Sequence, residues 1–240
     1  MYKGQKIVVV LPAYNAAKTL ERTVNDLPDI VDEVILVDDK SGDDTSAVAR
    51  RLGLVVYERD RNGGYGANQK TCYQLALSRG ADIIAMIHPD YQYDPKLVRY
   101  FAEFIVDGYF DVMLGTRIRS RREALAGGMP LYKYLANRAL TFFENMVSGH
   151  NLSEWHTGMR AYKREALEGI NLADNSDSFV FDSQILFRLI GAGFRIGEIP
   201  VPVRYFPEAS SIRFWRSCQY GFGTVWTGLK FLAGRYGRIK

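Results

Sequence analysis

Residues 83–92 read Ile-Ile-Ala-Met-Ile-His-Pro-Asp-Tyr-Gln, an apolar run that passes directly into side chains able to bind a metal. Consecutive apolar residues are typical of a strand covered on both faces, as in a parallel sheet. Pro89 lacks a backbone donor and ends the strand. His88, Asp90 and Gln92 follow at a spacing of two, which in an extended segment points their side chains the same way. They could hold Mg2+ or Mn2+; an ordinary loop that caps the next helix is the alternative.

Around this strand, β-branched runs alternate with amphipathic stretches. Strands are predicted at 6–11, 33–37, 54–57, 82–87 and 111–115, with helices at 16–27, 45–52, 67–78 and 95–106. This alternation predicts an α/β fold with a doubly wound, mostly parallel sheet. Right-handed crossovers bring the carboxyl ends of the strands to one edge, where open α/β sheets bind ligands.

The second half of the chain has a less regular pattern. Helices are predicted at 131–147 and 179–190, a short strand at 158–162 and an extended edge segment at 195–205. The small, glycine-rich stretch 124–130 suggests a mobile loop. Residues 212–236 suggest a helix broken by Gly221, Gly223 and Gly228. At the other end of the chain, Asn15 is predicted to cap the first helix.

Composition limits the class of protein. The chain has 240 residues, 47% of them hydrophobic and 24% charged, as in an ordinary folded domain. Cys72 and Cys218 are far apart, which argues against a disulfide framework or a zinc site. We see no secretory signal and no membrane-spanning run, so a cytoplasmic location is expected. Residues 209–240 carry six basic residues and no acidic one, which indicates either an anionic partner, such as a lipid surface, or a solvated tail.

The predicted sheet edge collects side chains suited to a nucleotide. Tyr14 offers a flat face to a base, Asp39 can accept from a base or ribose, and glycines at 63, 64 and 66 allow close backbone approach. A metal at Asp90 and Gln92, helped by positive charge at 117–122, would neutralise a leaving diphosphate. A carboxylate that accepts a proton from an acceptor hydroxyl would complete the site, and the candidates are Glu154 and Asp182.

Several motifs in order resemble glycosyltransferase family 2. They are Val-Val-Leu-Pro-Ala-Tyr-Asn at 9–15, Leu-Val-Asp-Asp-Lys-Ser-Gly-Asp-Asp-Thr at 36–45, Asn-Gly-Gly at 62–64, Asp-Tyr-Gln at 90–92, Gly-Thr-Arg at 115–117, Gly-Met-Arg-Ala at 158–161 and Ile-Gly-Glu-Ile-Pro-Val at 196–201. The resemblance extends from about residue 6 to residue 206. It is greatest to the branch of dolichyl-phosphate mannose synthase and related polyprenyl-phosphate sugar transferases.

The resemblance implies a glycosyltransferase A-type fold and an inverting, metal-dependent transferase with a UDP- or GDP-linked sugar donor. The nucleotide would contact Pro12, Tyr14, Asn15, Asp39, Gly64 and Asn68. The acidic metal motif of the family corresponds to His88, Asp90 and Gln92, with His in place of the first Asp. Either the preference between Mn2+ and Mg2+ changes, or Asp90 and Gln92 carry the ion with the phosphates.

The acceptor side is less defined by the resemblance. The acidic residue that precedes Gly-Phe-Arg in the branch corresponds to Glu154, and Asp182 is the alternative base. If the acceptor is a lipid phosphate rather than a glycan, no strong base is needed. Arginines would then bind its phosphate, and the candidates are Arg117, Arg138, Arg160 and Arg204.

The predicted organisation is one transferase domain, 1–206, made of a nucleotide-sugar half (1–115) and an acceptor half (116–206). The aromatic-basic helical tail, 207–240, could contact the cytoplasmic face of a membrane, and nucleic acid is not an expected partner. A degenerate transferase that only binds nucleotide sugars remains an alternative. A sugar-phosphate nucleotidylyltransferase or a dinucleotide oxidoreductase would need a different, glycine-rich loop after the first strand.

Overall fold

The computed structural model describes residues 1–118, 120–126, 129–203 and 214–236. Its strands are β1 (Ile7–Ala13), β2 (Glu33–Asp38), β3 (Val55–Glu58), β4 (Ile83–Ile87), β5 (Val112–Thr116), β6 (Met159–Lys163) and β7 (Ile196–Pro200). Its helices are α1 (Ala17–Asn25), α2 (Thr45–Arg51), α3 (Tyr65–Ser78), α4 (Val98–Val106), α5 (Arg121–Ala126), α6 (Leu131–Ser148), α7 (Arg164–Glu168), α8 (Phe181–Gly191) and α9 (Phe214–Leu232).

The strands form one seven-stranded sheet in the order β3-β2-β1-β4-β6-β5-β7. Strand β6 runs antiparallel to its neighbours β4 and β5, and the other pairs are parallel. The prediction of a mostly parallel α/β sheet is therefore confirmed. The carboxyl ends of β1, β2, β4 and β5 share one edge with the amino end of β6, so residues that follow the parallel strands and residues that precede β6 meet there.

Helices cover both faces of the sheet because the residues of the central strands alternate between two buried clusters. Val8 and Val10 of β1 pack on the face covered by α3, α7 and α8, whereas Ile7 and Val9 pack on the face covered by α1, α2 and α4. The β-branched, fully buried composition of β1 and β4 is what a strand with helices on both sides requires.

Helix α9 is continuous, so the predicted breaks at its glycines are wrong. A Cβ at Gly223 would lie 2.5 Å from Val180 Cγ2, and one at Gly228 would lie 2.6 Å from Phe143 Cε1. These glycines let α9 approach the start of α8 and the middle of α6 closely, which offsets their low helix propensity. Phe231 near the end of α9 is buried in the core cluster under α8.

Two other predictions of local structure also differ from the observed structure. Asn15 does not cap α1: it has φ 53°, and its side chain accepts from the Gly42 backbone instead. Residues 121–126 form α5, where a loop was expected from residue 124. Among the described residues, no helix combines the length and the hydropathy that crossing a bilayer would require.

Candidate functional site

A cleft of about 900 Å³ lies at the shared strand edge. One wall follows β1, β2 and β4 and includes the glycine loop before α3. The opposite wall comes from residues 177–180, which precede α8, and from Gln219 and Tyr220 of α9. The edge that the alternation of strands and helices predicts is thus the edge that carries the cleft.

Pro12, Tyr14 and Asn15 line the first wall, at the end of β1 and the start of the following loop. Tyr14 is 57% exposed, so its ring is available to a ligand. The backbone N–H of Asn15 donates to Ser41 Oγ at 2.8 Å, and Asn15 Oδ1 accepts from the N–H of Gly42 at 2.8 Å. These bonds lock the loop after β1 to the loop after β2.

Asp39 holds the glycine loop in place. Its two carboxylate oxygens accept from the N–H groups of Gly63 and Gly64 at 2.8 and 3.0 Å, and Arg59 Nε lies 3.1 Å away. Asp39 lines the cleft although its residue surface is only 4% exposed. Since charge-assisted bonds are strong, the carboxylate fixes the glycine loop at the edge of the cleft.

Gly64 and Asn68 also line the cleft, and both contact neighbouring parts of the chain there. Gly64 has φ +94°, and a Cβ at that position would lie 2.8 Å from the carbonyl oxygen of Asp177. Asn68 Nδ2 donates to the carbonyl oxygens of Ala13 (3.3 Å) and Val37 (3.1 Å), which ties α3 to the ends of β1 and β2.

The three predicted metal ligands are not equivalent. His88 and Asp90 line the cleft, whereas Gln92 is buried and its backbone N–H donates to Asp90 Oδ1 at 3.1 Å. The segment is not extended, because Tyr91 has φ 57°; the assumption that three side chains at spacing two point the same way is therefore wrong. Among the described residues, no group of three or more His, Cys, Asp and Glu side chains could hold an ion.

Asp182 lies behind the cleft and is joined to it by Tyr65. The Tyr65 hydroxyl donates to Asp182 Oδ2 at 2.9 Å and lies 3.3 Å from His88 Nε2. Burial, followed by the nearby Asp182 carboxylate, raises the pKa of Tyr65 well above its usual value, so the hydroxyl keeps its proton. Gln69 Nε2 donates to the other oxygen of Asp182 at 3.3 Å.

Arg160, a predicted acceptor ligand, is fully buried under Asp182. Its Nη2 lies 3.4 Å from Asp182 Oδ1, and its guanidinium donates to the carbonyl oxygens of Thr157, Trp155 and Asp182. Burial acts to lower the pKa of Arg160, but the Asp182 carboxylate together with Tyr162, Tyr65 and Tyr73 outweighs it, so the pKa is raised. An acceptor could contact Arg160 only if these protein contacts were displaced.

Glu154, the other candidate base, is fully buried and paired with Arg117. Its carboxylate accepts from the Arg117 backbone at 2.7 Å, from Arg117 Nε at 2.8 Å and Nη2, and from Asn137 Nδ2 at 3.1 Å. Burial acts to raise the pKa of Glu154, but the Arg117 guanidinium outweighs it and lowers the pKa. Arg138 Nη1 donates to the Ser153 carbonyl at 2.7 Å, and Arg204 lies outside the described residues.

Sequence reasoning did not assign a role to Tyr65 or to Tyr220. Tyr65 follows the Gly63-Gly64 pair directly, and an aromatic residue beside a glycine loop is a usable signal. Tyr220 lies on a helix far along the chain, and no local pattern connects it with the strand edge.

Comparisons with known proteins identify the family to which the sequence is similar. The model of the family described as glycosyl transferase family 2 matches residues 8–170. A dolichyl-phosphate hexose transferase from Haloferax volcanii is 30% identical over 206 residues, which cover 85% of this chain and 85% of that protein. A polyprenol monophosphomannose synthase from Mycolicibacterium smegmatis is 27% identical over 210 residues, which cover 82% of this chain and 77% of that protein.

Solved structures give the same fold. A glucosyl-3-phosphoglycerate synthase from Mycobacterium tuberculosis in complex with phosphoglyceric acid has a TM-score of 0.73 at 20% identity, over 96% of this chain and 81% of that one. The same enzyme with Mn2+, UDP-glucose and phosphoglyceric acid has a TM-score of 0.71 at 19% identity, with the same coverage of both chains.

Proposed function

This chain belongs to glycosyl transferase family 2, and from that premise we propose that it moves a sugar, with inversion, from a UDP- or GDP-linked donor to a polyprenyl phosphate. It is a glycosyltransferase that uses a nucleotide-sugar donor. The lipid-phosphate acceptor is proposed because relatives that match most of this chain are named for dolichyl or polyprenol phosphate. A glycan is the alternative acceptor.

The contacts of the Tyr65 hydroxyl are the observation that most supports a transfer reaction in this cleft. The Tyr65 hydroxyl contacts His88, which lies between β4 and Asp90, and it also contacts Asp182 on α8. This hydrogen-bonded connection joins the wall proposed to bind the donor diphosphate to the wall proposed to bind the acceptor. A sugar bound between the two walls would lie within reach of both.

The donor would lie along the first wall. Tyr14, with Pro12 and Asn15, would flank the base, and Asp39 would accept from the base or ribose while it holds the glycine loop. Gly64 allows the backbone of that loop to approach the nucleotide. Asn68 keeps the carboxyl ends of β1 and β2 at a fixed separation beneath it.

The residues at the end of β4 fit a divalent ion that is shared with substrate. Mg2+ and Mn2+ are commonly held by one or two protein groups together with substrate phosphates, and Asp90 and His88 both line the cleft. Gln92 supports the Asp90 carboxylate from below through its backbone N–H. When bound, the ion would neutralise charge on the leaving diphosphate.

In the proposed reaction, an acceptor oxygen forms the bond to the anomeric carbon while the bond from that carbon to the diphosphate breaks. The nucleoside diphosphate leaves with the electron pair. A phosphate acceptor needs no base, because its oxygen is already anionic. Asp182 would then orient Tyr65. With a hydroxyl acceptor Asp182 would be the proposed base, because Tyr65, which lines the cleft, connects it to the cleft, whereas Glu154 is fully buried against Arg117.

A lipid acceptor requires access to a membrane, and α6 and α9 together offer an apolar surface for it. Their outward residues are Leu131, Leu135, Phe142 and Met146 on α6 and Phe222, Trp226 and Leu229 on α9. Apart from Val147 and Phe231 near their carboxyl ends, many of their inward residues are polar, among them Asn137, Thr141, Glu144, Thr224 and Thr227. We call the outward residues the α6–α9 face.

The polarity of these helices is inverted relative to a helix on a water-soluble surface, where apolar residues face inward. Phe222 is 79% exposed and Phe142 68%. The acidic residue on these helices, Glu144, is fully buried, whereas Lys133 and Lys230 lie nearer the surface. An apolar face without exposed acids fits an anionic bilayer, so we propose that this face, rather than terminal basic charge alone, makes the predicted peripheral contact.

The reaction is tested by incubation of the chain with UDP- and GDP-sugars, Mn2+ or Mg2+, and a polyprenyl phosphate in detergent. We expect free nucleoside diphosphate and a lipid-linked sugar whose anomeric configuration is opposite to that of the donor. If nucleotide is released but the sugar is transferred only to a glycan, the acceptor is a glycan and not a polyprenyl phosphate. If no donor releases nucleotide, the chain is a nucleotide-sugar-binding module and not a transferase.

The membrane contact is tested by sedimentation with anionic vesicles. The double variant Phe142→Ser, Trp226→Ser should pellet several-fold less than the native chain, while Tyr109→Ser, which changes an exposed aromatic residue on the α4–β5 loop, should not. If the double variant pelleted as much as the native chain, the α6–α9 face would not be the membrane contact. A native dimer that becomes a monomer in the variant would identify a second copy as the occupant.

A further inference from the structure

Tyr220 enters the cleft from a part of the chain that the family model does not match. The model matches residues 8–170, whereas Tyr220 lies on α9 and lines the wall opposite Tyr14 and Asp39. The role of this residue therefore has to be inferred from its own contacts.

His156 contacts the Tyr220 hydroxyl, and Glu144 and Arg117 in turn contact His156. The hydroxyl forms a hydrogen bond with His156 Nδ1, and the two rings meet edge to face with centroids 5.2 Å apart. His156 Nε2 lies 3.1 Å from Glu144 Oε2 on α6, an ion-pair distance that is off the hydrogen-bond axis. Arg117 Nη2 donates to the His156 carbonyl at 2.6 Å and fixes the backbone.

The direction of the hydrogen bond between His156 and Tyr220 depends on which imidazole nitrogens carry a hydrogen. Glu144 is fully buried, and a buried carboxylate without a compensating charge is costly. His156 Nε2 lies within ion-pair distance of it. When Nδ1 of His156 carries a hydrogen, Nδ1–H donates to the Tyr220 oxygen, and the phenolic O–H then has Ser183 on α8 or a group in the cleft as its acceptor.

The phenol is suited to donate a proton in a hydrogen bond and not to act as a base. Burial, with smaller contributions from Glu144 and Asp182, raises the pKa of Tyr220 well above its usual value. The hydroxyl therefore stays protonated at neutral pH. A hydrogen bond from His156 to its oxygen polarises the O–H bond and strengthens it as a donor.

We propose that Tyr220 donates its hydroxyl hydrogen to an anionic phosphate oxygen of the acceptor, and that Glu144 and His156 position it. This inference rests on the proposed transferase function for the identity of the bound group as an acceptor. Tyr220 is the residue that contacts the ligand, and His156 and Glu144 act through it.

The phosphate could belong to a lipid or to a small soluble acid, since the hydrogen bond is the same. Relatives of this chain are named for dolichyl and polyprenol phosphates, and structural neighbours hold phosphoglyceric acid. The experiment therefore uses both a polyprenyl phosphate in detergent and phosphoglyceric acid as probes. The probe that binds more tightly shows whether the phosphate belongs to a lipid or to a small soluble acid.

The test is calorimetric binding of each probe to the chain saturated with UDP and Mn2+. Tyr220→Phe removes one oxygen and keeps the ring, and it should weaken the tighter probe about tenfold, the usual effect of losing a hydrogen bond to a charged group. The affinity for UDP and the melting temperature should not change. Tyr109→Phe is the matched control, because Tyr109 is exposed and distant from the strand edge.

The positioning role is tested with His156→Gln, alone and combined with Tyr220→Phe. The single variant should weaken the same probe several-fold, and the double variant should bind no more weakly than Tyr220→Phe alone. Additive losses would make His156 merely structural. Equal affinity of Tyr220→Phe and the native chain, or no binding of either probe to the native chain, overturns the inference. Since binding is measured without turnover, failure of sugar transfer alone would count only against the proposed function.

Discussion

The two walls of the cleft are built in different ways. The donor wall is made by loops that directly follow parallel strands, and hydrogen bonds join these loops to one another, such as Asn15 to Ser41 across 26 residues and Asp39 to Gly64 across 25. The acceptor wall is joined by contacts between distant elements, such as Tyr65 to Asp182 across 117 residues and Tyr220 to His156 across 64.

The difference has a functional consequence. The donor wall is held by hydrogen bonds between backbone groups and side chains such as Asn15 and Asp39. The acceptor wall depends on buried charged and hydroxyl groups that link α3, α6, α8 and α9. We therefore expect changes on the donor wall to act on nucleotide binding and leaving-group departure, and changes on the acceptor wall to act on the acceptor.

The largest effect is expected from Asp90→Asn. The change removes the carboxylate proposed to share a divalent ion with the diphosphate, so turnover should fall about 10²–10³-fold, as on loss of a group that stabilises developing charge. Nucleotide affinity, measured by calorimetry, should no longer respond to Mn2+. Asp94→Asn is the control, because Asp94 only caps the turn at Pro95–Leu97; if both variants behaved alike, the ion would have to bind elsewhere.

A smaller effect, confined to the donor, is expected from Asp39→Asn. The amide cannot accept from both glycine N–H groups, and Arg59 loses its counter-charge. The loss of about 2 kcal/mol should raise the KM for the nucleotide sugar roughly thirtyfold. The KM for the acceptor should stay constant. Asp60→Asn, at an exposed site beside the same loop, should change neither constant; a rise in the acceptor KM would mean that the walls are coupled.

The fold could be predicted from sequence because it depends on periodicity. Buried runs such as β1 and β4, and the helices between them, appear as local patterns. The direction of β6 and the continuity of α9 are not local properties. They depend on which strands flank β6 and on how closely Val180 and Phe143 approach the glycines of α9.

The donor wall could be predicted for the same reason, since most of its residues follow a predicted strand; Asn68 instead lies in the predicted helix 67–78. Within it, the orientation of residues 88–92 was wrong because nothing in the local sequence signals the left-handed conformation of Tyr91. The acceptor wall was only partly predictable. Glu154 and Asp182 were singled out as carboxylates, but their cations, Arg117 and Arg160, are defined by tertiary contacts.

Tyr65→Phe tests the connection between the walls and should have an intermediate effect. The change leaves the ring in place but removes the hydroxyl that contacts both Asp182 and His88. Turnover should fall about tenfold, the effect of one hydrogen bond to a charged group. Tyr100→Phe, on the exposed side of α4, is the control. Turnover equal to that of the native chain would mean that the walls work independently.

The smallest effect on turnover is expected from Glu154→Gln. If the buried Glu154–Arg117 pair only shapes the acceptor wall, kcat measured below the melting temperature should change by no more than a few-fold; a loss as large as that of Asp90→Asn would instead make Glu154 the base. Stability should respond more. Removing one partner of a buried pair should cost roughly 3 kcal/mol at neutral pH, measured by denaturant unfolding.

The pH dependence of stability separates these roles further. Arg117 holds the pKa of Glu154 below its usual value of 4.5 in the folded chain. The unfolded chain then binds that proton more tightly, so the stabilisation is present above pH 4.5 and is lost as the pH falls through the folded pKa. The native chain should therefore lose stability more steeply than Glu154→Gln on acidification below this pH. If the acid unfolding curves of the native chain and of Glu154→Gln were parallel, the pairing of Glu154 with Arg117 would not stabilise the fold. The acceptor wall would then not depend on this charge pair.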